Sequence, residues 1–137
     1  MMKKYLFLVL ILMVFTACSE EEKPERPEVK MEYRPLVTED DNGKYMEWYP
    51  GHKQLKMTGR NNKNGERVGI WKYYSERGVE LSITVYNNGL RDGHTVVKYP
   101  NGAVHYSGEY LNDEPIGVWK FYNEEGQLID TKDYSNL

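Results

Sequence analysis

Three histidines and one cysteine carry the most reactive side chains of this sequence: His52, His94, His105 and Cys18. His94 and His105 fall on the two strands of one predicted hairpin, where they could share a metal ion with Glu109. No histidines have the HExxH spacing of a zinc site. Scattered histidines on strands and turns explain the same positions, so we predict no metal site and no cofactor.

The rest of the chain offers little that could carry out catalysis. An active site needs a nucleophile with a base, a metal cluster or a pair of opposed carboxylates. The glycines recur at a regular interval, which is typical of turns between repeats rather than of a phosphate-binding loop. We therefore predict that the protein is not an enzyme.

Aromatic side chains are the other candidates for a binding site. Trp71, Trp119, Tyr74 and Tyr122 could form a ligand or partner surface, because aromatic rings stack on sugars and pack against protein side chains. The alternative is that the two tryptophans are the core of a thin sheet that has little else to bury. In that case Tyr74 and Tyr122, on the other face, are the more available residues.

These aromatic residues belong to a repeat of 24 residues. Three sets of residues keep this spacing: Gly69, Gly93 and Gly117 at the start of each unit, Gly78, Gly102 and Gly126 within it, and Tyr86, Tyr110 and Tyr134 at its end. A fixed period of this length is the signature of a repeat architecture. The region from residue 43 to residue 55 looks like a degenerate first unit with one residue missing.

Each unit has the pattern of a β-hairpin. Residues 69–74 and 81–86 both alternate between two faces, as short strands do, and residues 75–78 supply the loop between them. Trp71 and Trp119 are two periods apart, so we expect both indoles on one side of the sheet. The sequence therefore predicts an all-β fold in residues 43–137: an antiparallel meander of repeated hairpins that forms an elongated, twisted sheet. We also expect positive φ angles at some of the loop glycines.

The repeat motif is Gly-x-Trp-x-x-Tyr, then Gly, then Tyr-x-x-Gly-x-x-x-Gly. Over residues 43–134 it resembles the membrane occupation and recognition nexus (MORN) repeat, and is similar to the variant repeats grouped with a toxin–antitoxin "antitoxin" family. The resemblance implies stacked hairpins. It also implies an alternative function, an antitoxin-like or immunity-like inhibitor that binds a toxin domain.

The N-terminus has the pattern of an exported lipoprotein. Lys3 and Lys4 precede an apolar run over residues 5–15, and small residues then lead to Cys18. This pattern predicts a signal peptide over residues 1–17. Residues 15–18 resemble the lipobox of bacterial lipoproteins, which implies that Cys18 is lipidated, although Phe15 replaces the usual aliphatic residue. The alternative is an ordinary signal peptide with a free cysteine.

We predict that residues 18–42 comprise the lipidated cysteine and a charged, flexible tether. Residues 19–42 contain nine acidic and four basic residues, whereas the repeats from residue 43 are neutral and the whole chain has a net charge of −3. Such repeats lack the basic footprint of nucleic-acid binding. Residues 19–22 resemble the serine-plus-acidic signal that sends some bacterial lipoproteins to the cell surface, and a solvated acidic tether explains them equally well.

Together these features predict a non-catalytic lipoprotein of the cell envelope. We expect a membrane anchor at Cys18, most simply in the outer membrane, with exposure on the cell surface as one arrangement. The repeat sheet is expected to bind a protein partner, or a glycan or other envelope component. No nucleic-acid partner is expected.

Overall fold

The computed structural model describes residues 34–135, which form a single β-sheet. Its strands are β1 (Val37–Glu39), β2 (Lys44–Trp48), β3 (Leu55–Asn61), β4 (Arg67–Tyr74), β5 (Glu80–Asn87), β6 (Leu90–Lys98), β7 (Val104–Leu111), β8 (Glu114–Tyr122) and β9 (Leu128–Asp133). This part of the chain contains no helix, and therefore none able to span a lipid bilayer. The predicted signal peptide and Cys18 lie outside the described residues.

The sheet is an antiparallel meander, as the sequence predicts. Each strand pairs with its neighbours in the chain, so the order in the sheet is β1 to β9 without a crossover. β1 and β9 are the two edges, and they do not pair with each other. The all-β prediction and the predicted chain of hairpins are therefore confirmed.

The hairpin loops form where the repeat places them. In the loop between β4 and β5, Ser75 N–H donates to the backbone oxygen of Val79 at 2.8 Å, and Gly78 N–H donates to that of Ser75 at 2.9 Å. Gly78, Gly102 and Gly126 have φ angles of 85°, 90° and 80°. A side chain is disfavoured in this left-handed region, which explains why glycine returns at this position.

The glycines that mark the start of each unit lie inside strands rather than in turns. Gly69, Gly93 and Gly117 sit in β4, β6 and β8 with φ angles of 66°, 124° and 61°. At each of them the pairing with the preceding strand shifts register. They are therefore bulge residues, whose positive φ lets the strand take up extra residues.

The sheet begins before residue 43. β1 lies within the range predicted as tether, and Thr38 pairs with Met46 of β2. Trp48 N–H also donates to the backbone oxygen of Leu36 at 2.8 Å. Leu36, Val37 and Thr38 interrupt an otherwise charged stretch with residues that suit a strand. The rest of the predicted tether, up to residue 33, lies outside the described residues.

The core lies on one face of this single sheet. Directly opposed residues on neighbouring strands share a face, and pairing links Trp71 to Thr84, Thr84 to Thr95, and Trp119 to Lys132. We call the face that carries these residues the tryptophan face. Its buried residues are Met57, Trp71, Thr95 and Trp119. The expectation that both indoles lie on one side is confirmed, because Thr95 also pairs with Gly108, which lies beneath the Trp119 ring.

Candidate functional site

Trp71 and Trp119 each lie flat on a glycine of the preceding strand. A Cβ atom placed on Gly59 would lie 2.2 Å from Trp71 Cδ2, and one placed on Gly108 would lie 2.3 Å from Trp119 Cδ2. Real atoms do not approach so closely, so a side chain at either glycine would displace the ring. The two Trp–Gly pairs are equivalent positions of the repeat.

Trp71 is covered on all sides. Its Nε1 donates to the backbone oxygen of Arg60 at 3.1 Å. The Tyr45 ring lies 5.3 Å from the indole, and the Arg67 guanidinium carbon lies 4.4 Å from the ring centroid, within cation–π distance. Only 2% of the residue is exposed.

Trp119 is covered mainly by tyrosines. Tyr110 and Tyr134 approach it edge-on, with centroids at 4.9 and 6.2 Å, and Tyr106 stacks at 6.0 Å. Its Nε1 donates to the backbone oxygen of Ile116 at 3.2 Å. With 5% of Trp119 exposed, both tryptophans are core residues in this structure and present no free ring face to a ligand.

Tyr74 and Tyr122 occupy the last positions of β4 and β8 and are half-buried. Their backbone oxygens accept hydrogen bonds from the hydroxyls of Tyr49 and Tyr99, each at 2.9 Å. Each of these bonds reaches across an intervening strand. Tyr74 and Tyr122 therefore lie where a hydrogen bond connects neighbouring hairpins, and part of each residue is still accessible.

The histidines do not converge. His94 Nδ1 lies 3.2 Å from Glu109 Oε1, and the His94 side chain is 80% exposed. His105 instead stacks on Tyr99 with centroids 4.4 Å apart, and His52 Nε2 lies 2.8 Å from the backbone oxygen of Pro35. Within residues 34–135, no group of three or more histidine, cysteine or acidic side chains could hold a metal ion.

The face opposite the tryptophans carries two shallow hollows. Gly69 lines the first hollow and Gly117 the second, and a Cβ atom placed on either glycine would meet no other atom of the described residues within 4 Å. The first hollow, of about 450 Å³, is lined by Lys44, Thr58, Gly59, Arg60, Val68, Gly69, Ile70 and Lys72. The second hollow, of about 390 Å³, is lined by His94, Thr95, Val96, Ser107, Gly108, Glu109, Ile116, Gly117, Val118 and Lys120.

The two hollows are the same place in two repeats. Each is lined by an exposed β-branched residue, Ile70 in the first and Val118 in the second, and these are 58% and 50% exposed. An exposed apolar side chain in a concave surface offers a contact for a partner.

Charge distinguishes the hollows. Lys44 pairs with Arg60 across β2 and β3, whereas the corresponding pair across β6 and β7 is His94 with Glu109. The first hollow therefore carries two like charges where the second carries a histidine beside an acid. Like charges directly opposite each other are destabilising in a sheet. The Lys44–Arg60 pair is therefore not explained by a contribution to the stability of the fold.

A partly exposed ion network borders the first hollow. Glu80 accepts hydrogen bonds from Lys98 Nζ at 2.9 Å and from Lys72 Nζ at 3.0 Å. The bonds from Lys98 and Lys72 lower the pKa of Glu80, and the bond from Glu80 raises the pKa of Lys72. Lys72 is thus neutralised locally, whereas Lys44 and Arg60 form no ion pair within the described part of the chain.

Sequence reasoning missed the packing of Trp71 and Trp119 on glycines, and it missed the hollows on the other face. A signal was present: Gly59 precedes Trp71 and Gly108 precedes Trp119 by almost the same interval, and Thr84 and Thr95 occupy the equivalent positions in the middle unit. Glycine is present in the units that have the tryptophan and absent from the unit that lacks it, which indicates that the ring packs on the glycine backbone. The interval from Gly59 to Trp71 is one residue longer than that from Gly108 to Trp119, which hid the relation.

No protein-family model matches the chain, and no curated protein matches it.

Proposed function

We propose that this protein is a non-catalytic lipoprotein of the cell envelope, held at a membrane through Cys18, whose sheet binds a protein partner. The observation that carries the binding proposal is the first hollow, where an exposed apolar residue lies beside two cations that have no acidic partner among residues 34–135. The MORN-like repeat and the predicted signal peptide support the proposed binding role and location in the cell envelope.

The chemistry of the first hollow favours an acidic segment of another envelope protein. Ile70 offers an apolar contact, and Lys44 and Arg60 offer charge on strands β2 and β3. Arg60 Nη1 also donates to the backbone oxygen of Asn42 at 3.2 Å, which orients the guanidinium. An apolar side chain flanked by carboxylates would match this surface, since complementary charge gives such contacts their specificity and association rate.

A photo-crosslinking experiment in cells tests this proposal. A photoreactive phenylalanine at position 70 should crosslink to one envelope protein, and mass spectrometry should place the crosslink next to acidic residues. The same probe at position 118, in the second hollow, is the matched control and should give much less product. Lys44→Glu with Arg60→Glu should remove the crosslink, because both charges then repel the partner.

Equal crosslinking at positions 70 and 118, or crosslinking that survives the charge reversal, would contradict the assignment of the first hollow. The identity of the crosslinked protein also tests the alternative function. A toxin domain would favour the antitoxin-like inhibitor, whereas a component of an envelope complex favours the lipoprotein proposed here.

The membrane anchor has its own test. Metabolic labelling with palmitate should mark the wild-type protein and not the Cys18→Ala variant, because the predicted lipid is attached at this cysteine. Fractionation should find the label in the outer membrane. Label that persists in Cys18→Ala, or a wild type that never takes up label, would rule out lipidation at this residue.

A further inference from the structure

β9 is the longer of the two edge strands, and all six of its residues are exposed. It follows β8 at the C-terminal end of the sheet, and no strand formed by residues 34–135 lies on its other side. Leu128 and Ile129 are 55% and 63% exposed, so this edge also presents apolar side chains. Such an edge is a template for pairing with another strand.

We infer that the strand that covers β9 is β9 of a second copy of this chain, paired antiparallel about a two-fold axis at Thr131. The inference concerns the sheet edge and is independent of the hollow on the sheet face. Its basis is the agreement between two features of β9: the direction of its backbone groups and the order of its charges.

The backbone of β9 fixes which residues can pair outwards. Tyr134 N–H donates to the backbone oxygen of Gly117 at 2.8 Å, so this group points towards β8. Backbone direction alternates along a regular strand, and Thr131 and Asp133 therefore direct their backbone groups away from β8. The Thr131 N–H confirms this, since it donates to Asp130 Oδ1 at 2.8 Å instead of to β8. The alternation does not extend to Ile129, because the register shifts between Phe121 and Tyr122 and leaves Ile129 without a partner in β8.

A two-fold axis at Thr131 uses the outward groups of this residue. Thr131 would exchange two hydrogen bonds with Thr131 of the second copy. On either side of this pair, Asp130 would lie opposite Lys132 of the second copy, and Lys132 opposite Asp130 of the second copy. These are the non-hydrogen-bonded positions of an antiparallel pair, where side chains approach most closely.

Both charged side chains lie on the tryptophan face, where they can meet. Asp130 pairs with Phe121 of β8, and Lys132 pairs with Trp119. The Lys132 ammonium lies 5.4 Å from the centroid of the Phe121 ring, so it is already held over the sheet next to Asp130. Pairing would therefore bring two opposite-charge contacts together on the tryptophan face.

The same features disfavour unrelated strands. Asp130 occupies the Thr131 N–H, and Asp133 Oδ1 accepts from Ser135 N–H at 2.8 Å. An incoming strand must replace the Asp130 contact with another partner for that carboxylate. Lys132 of a second copy supplies one in the symmetric register, whereas a strand without a lysine at that position leaves Asp130 unpaired.

Charge exchange within β9 is the decisive experiment. The purified full-length protein is examined by analytical ultracentrifugation over a concentration series, and the wild type is expected to form a dimer. Asp130→Lys and Lys132→Asp should each weaken the dimer by about tenfold or more, because each places like charges opposite each other. The double variant Asp130→Lys/Lys132→Asp restores opposite charges and should recover the dimer.

A matched control separates pairing from net charge. Glu125→Lys, in the exposed turn before β9, changes the net charge by the same amount as Asp130→Lys and should leave the dimer unchanged. A wild type that remains monomeric at every concentration would overturn the inference. So would a dimer that both single variants retain, or one that the double variant does not recover.

A crosslink tests the register without relying on charge. In a Cys18→Ala background, Thr131→Cys places the thiol on the predicted axis and should form a disulfide between two copies under mild oxidation. Glu125→Cys in the same background should not. If Glu125→Cys crosslinks as readily as Thr131→Cys, the proposed pairing is wrong, and this result stands even if a charge variant fails to fold.

Discussion

The sheet contains two kinds of contact between neighbouring hairpins. Within each half, β2–β5 and β6–β9, a tryptophan lies on a glycine of the adjacent strand. Between the halves, at the junction of β5 and β6, Thr84 and Thr95 take the equivalent positions, and their hydroxyl oxygens lie 2.8 Å apart. The same pair of repeat positions thus holds either an indole ring packed on a glycine or two threonines whose hydroxyls form a hydrogen bond.

At this position the repeat preserves the combined size of the two packed residues rather than their types. A tryptophan packs on a glycine of the preceding strand, and a threonine packs on another small side chain. The junction is also polar at its end, where Glu80 of β5 links Lys72 of β4 to Lys98 of β6. Within each half the main side-chain contact is therefore apolar, whereas at the junction of β5 and β6 the side chains form hydrogen bonds and ion pairs.

The two tryptophan sites differ in what covers them. Arg67 lies over Trp71, whereas the equivalent position of the last unit is Pro115, and Trp119 depends on Tyr110 and on Tyr134 beyond β9. The first site lies in the interior of the sheet, and the second lies one strand from its edge. The same motif should therefore contribute more to stability in the first half.

The largest expected effect is the loss of a tryptophan. Trp71→Ala should lower the free energy of unfolding by about 3–5 kcal/mol, because it leaves a cavity in a small core. Trp119→Ala should cost less than Trp71→Ala, since the second site is nearer the edge. Urea denaturation followed by circular dichroism measures both. A larger loss for Trp119→Ala would contradict the difference between the halves.

Filling the space beneath a ring should have the next largest effect. Gly108→Ala should destabilise the protein by about 1–3 kcal/mol, because the new Cβ displaces the Trp119 indole. Ser107→Ala, at the preceding residue of β7 on the opposite face of the sheet, serves as the control. If Gly108→Ala and wild type unfold at the same urea concentration, the ring does not rest on that glycine.

Breaking the threonine pair should have a smaller effect. Thr95 is 3% exposed, and Thr95→Val removes its hydroxyl while keeping its shape, so a loss of about 1 kcal/mol is expected. Adding Thr84→Val should cost little more, because the bond is already lost. A double-mutant cycle of unfolding free energies measures this coupling. Strictly additive losses would show that the two hydroxyls do not stabilise the junction together.

The smallest expected effect concerns pH. Lys98 and Lys72 lower the pKa of Glu80 in the folded protein. The stabilisation from this carboxylate is therefore present above its unfolded pKa of about 4.3 and is lost as pH falls through the folded pKa. At neutral pH, Glu80→Gln should cost no more than about 1 kcal/mol, because the group lies near the surface.

The difference between Glu80→Gln and wild type should shrink as the pH is lowered through that acidic range. Melting temperatures measured from neutral to acidic pH follow it, and Glu125→Gln, on an exposed turn, is the control. A difference that stays constant down to pH values well below the unfolded pKa would mean that the ion network does not stabilise the junction.

The sequence by itself determined the fold class, the order of the hairpins and the side on which both tryptophans lie. These features depend on local rules: the two-residue alternation of a strand, the positive φ that favours glycine, and a period that keeps Trp71 and Trp119 in the same phase. The start of the sheet was less accessible, because β1 owes its pairing to Met46 and its other β2 partners rather than to its own short sequence.

Only the tertiary structure decided which aromatic residues are covered, where the hollows lie and what the last edge presents. The bulges at Gly69 and Gly117 shift the strand register by an amount that periodicity does not specify. The shift at Gly69 accompanies the placement of Trp71 over Gly59, and the separate pairing of β2 with β3 brings Lys44 beside Arg60. Contacts between strands depend on register, and register is set by all neighbouring strands together, so no single repeat carries that information.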